Sequence, residues 1–406
     1  TEIYTLSLHD ALPISAAWVE EQNTLTRRYL DAIPERAAIQ KRLTELWNYE
    51  KYSVPSKRGG RYFFSRNSGL QNQSVLYSAA TLEADPTVLL DPNTLSTEGT
   101  IALSGTAVSQ NGQWLAYGLA ASGSDWQEWR VRNIETGQDL PDLLRWVKFS
   151  GASWTKDNRG FFYSRYDEPS EAQKLTKVNE FQKLYYHQVG TDQSQDTLVY
   201  HRPDHKEWGF GGYATDDGQY LIITASHGTD PRNRVFYKEL ARPDSDVIEL
   251  LNEFDASYDF VGNDGPVFWF KTDLQAPRGR LIAIDSHNPA RANWREIIPE
   301  TGETLEGIRL VGHRFIATYL KDAHSQVKVF SLDGSPERQL DLPGIGPAGG
   351  FSGRREDTET FYSFTSFSVP GRIYRYSIPT GESRLWRQPP VAFAPDDFEP
   401  RPVFAQ

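Results

Sequence analysis

Ser352 has the neighbours that come nearest to a catalytic arrangement in this 406-residue chain; it stands in "GGFSGR", Gly349 to Arg354. A G-x-S-x-G elbow lifts its serine onto a strained strand-to-helix corner, which leaves no room for a side chain two residues to either side. Gly350 satisfies that demand and Arg354 breaks it. The residues after Arg354 are charged and then strand-like, so the segment reads as a turn opening a repeat, and no Ser-His-Asp set is expected. His201 and His205 have H-x-x-x-H spacing in "HRPDH". Two imidazoles at that spacing share a face only on a helix, and Pro203 between them favours a loop. Asp216-Asp217-Gly218 and Asn263-Asp264-Gly265 supply carboxylates. The loop pattern of a calcium site is missing around them, and hairpin turns account for both. Neither a metal nor a cofactor is expected. The absence of Cys excludes a thiol nucleophile, a disulfide framework and thiolate-bound metals.

Charge and hydropathy narrow the partners. Acidic residues number 54 against 43 basic ones, a net of −11. That field makes a phosphate backbone or an anionic membrane a poor partner. No apolar run approaches the ~18 residues of a membrane span. The expectation is neither nucleic acid nor membrane.

The elements that would position any site are mostly short strands. Seven phrases, each a polar or Gly turn leading into alternating apolar residues, begin at Gly59, Ser109, Ser153, Thr215, Gly262, Gly312 and Arg355. Their first large apolar residues are Tyr62, Trp114, Phe161, Tyr220, Val267, Phe315 and Phe361, spaced 46 to 59 residues apart. About 50 residues is what four short strands and their turns occupy in a propeller blade. The Asp/Asn-Gly steps permit the positive φ of a tight hairpin. The fold expected is all-β: a seven-bladed β-propeller of four-stranded antiparallel blades, preceded by a short two-helix segment. In that segment Trp18, Gln22, Leu25 and Tyr29 recur at helical spacing, with Ser15 as the N-cap. Pro34 marks the start of a second helix, whose stripe is Ile39, Leu43, Leu46 and Trp47. Thr1–Ser15 reads as foreign to the rest, and the missing Met makes the chain read as a fragment or a processed product.

"NYEKYSVPSKRGGRYFFSRNSGLQNQSVLY" (Asn48–Tyr77), "KLYYHQVGTDQSQDTLVY" (Lys183–Tyr200) and "FTSFSVPGRIYRY" (Phe364–Tyr376) resemble the propeller of prolyl oligopeptidases over about Ala16–Pro400. The resemblance implies a seven-bladed propeller set on an α/β-hydrolase domain, with cleavage after proline by an activated serine in the whole enzyme. It implies the division 1–15 unmatched, 16–54 helices that pack on the hydrolase, 55–400 propeller, and 401–406 the start of the hydrolase domain. The chain would then be the lid without the catalytic triad, inactive alone, admitting oligopeptide substrate through its channel and partnering its own hydrolase domain. Phe149 of "WVKFS" matches an aromatic that family members present to substrate, and Thr229 of "SHGTDPRNR" matches a Cys found in some members. Two alternatives stay open: a free-standing propeller scaffold, and the propeller of an oligopeptidase that cuts after basic residues.

Overall fold

A computed structural model describes residues 8–170, 178–242, 244–391, 393–398 and 400–404. The chain divides into two compact units, Thr1–Glu50 with Ser68–Leu70, and Lys51–Asn67 with Gln71–Gln406.

The first unit holds helix α1 (Leu8–Asp31) and helix α2 (Arg36–Trp47). Ser15 therefore lies inside α1 and does not cap it. Once nucleated, a helical ladder extends through neighbours of good propensity, here Ala11, Leu12, Ala16 and Ala17. Pro34 likewise stands two residues ahead of α2, whose N-cap is Glu35 without a side-chain capping bond. The apolar stripes expected from the spacing exist, and their residues Trp18, Leu25, Tyr29, Ile39, Leu43 and Leu46 are all exposed.

The second unit is a β-propeller of antiparallel sheets with two-residue to nine-residue strands. Five strands between Lys51 and Leu90 make the first sheet, and eight between Ile101 and Tyr200 make the second. Four-stranded sheets succeed them over Trp208–Leu251, Tyr258–Ile298, Thr304–Gln339 and Ala348–Arg387. Each four-stranded sheet runs in simple sequence order, the arrangement that short hairpins impose. The halves of the eight-stranded sheet meet through one pair, Arg165 opposite Val147. Those halves also pack face to face, Ala116, Trp129 and Val131 lying in one apolar cluster with Trp154, Phe161 and Tyr163.

The repeated phrase has the expected geometry. Gly112 and Gly218 have φ of 72°, and their amides close on Ser109 and Thr215 carbonyls at 2.9 and 2.8 Å. In the third copy Asn158 takes the left-handed position at φ 60°, its amide closing on Thr155. Asp217 Oδ1 accepts from Thr215 Oγ1 at 2.6 Å and from the Gln219 amide at 3.0 Å, a turn made by its own side chains.

The repeat departs from the sequence expectation in one respect. The landmarks Trp114, Tyr220, Val267, Phe315 and Phe361 open or lie in the second strand of their sheets; another strand precedes each. Two of these preceding strands, Trp208–Ala214 and Ala348–Ser352, are rich in Gly and leave one face exposed. Their glycines interrupt the apolar alternation that marks a strand in sequence. "GGFSGR" is accordingly not a turn: Ala348–Ser352 is a strand with a bulge at Gly350/Ser352.

The sheets close a ring through side chains. No strand of the first sheet pairs through its backbone with the last sheet among the described residues. Instead Tyr62 meets Phe361 edge-on at 6.0 Å, and Trp386 meets Phe64 and Tyr52 at 5.4 and 5.8 Å. Beside them Glu359 accepts from Lys57 Nζ at 2.8 Å and from the Tyr62 hydroxyl at 2.6 Å.

A candidate substrate channel

The preceding strands share a destination. Residues from Ile101–Val108, Ser153–Trp154, Trp208–Ala214, Tyr258–Asp264, Thr304–Val311 and Ala348–Ser352, with Ser53–Arg58, line two adjoining cavities of about 610 and 800 Å³. Arg58, Tyr213, Asp216 and Ser352 border both cavities. The smaller cavity is kept open by small side chains. Ser53, Thr106, Gly211 and Ser352 face it and are exposed. The two faces of one strand show the logic: a methyl group on Gly212 would come within 2.8 Å of Leu184 Cδ1, whereas one on Gly211 would meet nothing within 4 Å. Gly212 permits packing behind the strand, and Gly211 leaves clearance in front.

Charges gather where the two cavities join. Arg354 Nη1 donates to Gln110 Oε1 at 2.9 Å, and Arg355 Nη1 donates to Asp264 Oδ1 and the Asn263 carbonyl, both at 3.0 Å. Burial lowers the Arg58 pKa, helped by the Arg354 charge. Burial raises the Asp216 carboxyl even though Arg354 and Arg58 pull it back. Tyr213 is 47% exposed because its surface looks into the cavity, yet the surrounding wall and Asp216 push its phenol up to about 12. These groups make a waist between a smaller cavity walled largely by Ser, Thr, Ala and Gly and a larger one that charged side chains such as Asp230, Arg232, Arg309 and Glu356 also line.

Phe149 sits at the mouth of the 610 Å³ cavity, 63% exposed and at φ 56°. A phenylalanine in the left-handed region is strained, so its surroundings must hold it there. Gln182 does much of this, donating to the Lys148 carbonyl at 2.9 Å and accepting from the Phe210 amide at 2.6 Å. The Lys148 ammonium lies 5.3 Å from the Phe149 ring centre and 5.0 Å from that of Trp126. Thr229 is exposed on the turn between strands Tyr220–His227 and Asn233–Glu239. It lines neither cavity, although Asp230 and Arg232 beside it line the larger one.

The other sequence candidates have structural partners. Ser352 faces the bore from its bulged strand, and its carbonyl accepts from Thr360 Oγ1 at 2.8 Å. His313, which the sequence did not single out, borders the larger cavity and receives a hydrogen bond from Arg355 Nε at 3.1 Å. His205 stacks on Trp208 with ring centres 4.0 Å apart, in a loop as Pro203 suggests. Sequence reasoning missed Arg58, Tyr213, Asp216 and Arg354 as one group. The available signal was their shared place beside the repeated turns, in "SKRGG", "YATDDG" and "SGRRED".

The family model described as the N-terminal β-propeller domain of prolyl oligopeptidase matches residues 10–389. The chain belongs to this family. It is 39% identical to a prolyl endopeptidase of Elizabethkingia meningoseptica over 96% of its own length and 54% of that protein. It is 31% identical to prolyl oligopeptidase A of Amanita bisporigera, over 95% of the chain and 55% of that protein. Among solved structures, prolyl oligopeptidase B from Galerina marginata bound to a 35mer hydrolysis and macrocyclization substrate superimposes with a TM-score of 0.87. The identity there is 28%, over 95% of this chain and 57% of that one. The chain thus spans about half the length of the relatives it matches.

Proposed function

We propose that this propeller gates the active site of a prolyl oligopeptidase, a serine endopeptidase that cleaves short peptides after proline. The whole enzyme carries an α/β-hydrolase domain as the propeller's partner, with the nucleophile on that domain. The division is 16–54 for the helices that pack on the hydrolase, 55–400 for the propeller and 401–406 for the start of the hydrolase, with 1–15 outside it. The ring has seven blades: the eight-stranded sheet counts as two, joined by the single Arg165–Val147 pair and packed face to face. The bore passes an extended oligopeptide and excludes a folded protein, which keeps cellular proteins and bulk water from the reacting centre. Phe149 touches substrate at the smaller cavity, and Thr229 does so from the turn whose Asp230 and Arg232 line the larger one. A 35mer substrate bound to the Galerina marginata relative supports a peptide ligand.

The observation that carries this reading is the smaller cavity, walled largely by small residues, with an exposed, left-handed Phe149 beside it. Equilibrium dialysis of the 406-residue chain against a labelled proline-containing octapeptide, and against a folded protein of similar charge, tests it. The octapeptide should bind, Phe149→Ala should weaken it roughly threefold to tenfold, as for loss of one aromatic contact, and the folded protein should not bind. The same sample should not turn over a chromogenic Gly-Pro substrate. Equal binding of both ligands, or turnover abolished by Ser352→Ala, would contradict the proposal.

A further inference from the structure

Among the four residues that border both cavities, Tyr213 is the aromatic one. It stands on the strand Trp208–Ala214, two residues after Gly211, and borders both cavities at the waist. Its neighbours along the exposed face are glycines: Gly211 has open space before it, and Gly209 precedes that. A large aromatic in a row of glycines has little of its own strand to lean on. It is steadied from the next sheet, where Phe260 lies 5.8 Å away with a 52° tilt between the rings. At the other end the phenol lies among Asp216, Arg58 and Arg354. The ring is therefore held at both ends with much of its surface free.

We infer that Tyr213 is a binding post inside the channel, on which an extended peptide rests an apolar side chain or proline ring as it occupies the bore. The inference rests on the channel reading above and adds a residue and a contact chemistry to it. The clearance at Gly211 admits backbone beside the ring, and a ring already fixed loses little freedom when a ligand meets it. Proline suits such a contact because its pyrrolidine is compact and apolar, and its fixed φ suits the extended conformation that a narrow bore demands.

Two measurements separate this inference from the reading beneath it. The chain has no Cys, so Tyr213→Cys introduces a single thiol at the waist. Thr136→Cys, on an outer turn that borders neither cavity, gives a control thiol. Labelling by a small thiol reagent is timed for both, with and without a saturating octapeptide of alternating Gly and Pro. Affinity for the same peptide is then measured for the unsubstituted chain, Tyr213→Phe and Tyr213→Ala, each checked for native circular dichroism. Protection of the waist thiol alone is expected, with Tyr213→Phe near the original affinity and Tyr213→Ala weaker by about threefold to tenfold. Protection with unchanged affinity in Tyr213→Ala would overturn the post while leaving the channel intact. Absence of both protection and binding would overturn the channel and the post together.

Discussion

Glu359 shows how much one side chain carries where the ring closes. Its carboxylate, almost fully buried, accepts from Lys57, Tyr62 and Arg375, on both sides of the seam. Burial pushes its pKa up, but the hydrogen bonds from Lys57 and Tyr62 and the nearby charges outweigh that and hold it below the usual glutamate range. A depressed carboxyl contributes stability that is present above its unfolded pKa and lost as pH falls through its folded one. Thermal melts should therefore drop below about pH 4.5, the ordinary glutamate value. Glu359→Gln should flatten this acid limb and cost roughly 2–4 kcal/mol at neutral pH, because Lys57 and Arg375 lose their anion. A variant whose melting curve keeps the acid slope would place the titration elsewhere. The carboxylate's type was plain from the sequence; its partners Lys57 and Tyr62, about 300 residues upstream, were not.

At the scale of the element, His187 clasps the strand Lys183–Gln188 to its surroundings. Its two ring nitrogens meet Asp142 at 2.9 Å and Asp196 at 2.7 Å, with all three side chains fully buried. The Tyr163 hydroxyl donates to the other Asp196 oxygen at 2.5 Å, and the Gly190 amide donates to Asp142 at 2.7 Å. Burial pulls the imidazole pKa down, but the bonds to Asp142 and Asp196 overcome it and push it up to about 9. A raised pKa means stability fully present below the unfolded value near ~6.5 and lost as pH rises through the folded one. Urea midpoints should decline gently from about pH 6.5 and most of the contribution should be gone by about pH 9 to 10. His187→Gln should remove that alkaline limb and cost roughly 2–4 kcal/mol at pH 7, since two buried carboxylates lose their cation. An unchanged alkaline limb in the variant would show that His187 is not its source. The strand was legible from the alternation in "KLYYHQ", but a histidine within it gave no sign of the two aspartates.

For the whole molecule, the seam between first and last sheets is held by rings and charges, without a shared strand among the described residues. Backbone ladders spread a disturbance along a sheet, whereas side-chain contacts can fail locally. Phe361, 2% exposed, packs against Tyr62 and Trp386 there. Phe361→Ala should cost about 3–4 kcal/mol. Its effect on hydrogen exchange should concentrate in Lys51–Leu90 and Ala348–Arg387, ahead of the other sheets. A uniform rise in exchange around the ring would mean that the seam opens no more readily than the rest.

The amino-acid order alone determined the blade period, the hairpins and the helical stripes, because each depends on residues within a few positions of one another. Turn chemistry at Asn111-Gly112 or Asp217-Gly218 acts over four residues, and alternation such as "FFYSR" acts over five. It also carried the family, through phrases long enough to be specific. Only the tertiary structure decided what the inner strands do. Gly211 and Ser352 look like weak strand formers in sequence, and their value is the space they leave when sheets from the whole chain turn them towards one axis. Arg58, Tyr213, Asp216 and Arg354 meet for the same reason: closing a ring brings together residues about 300 positions apart, and no local pattern records that distance.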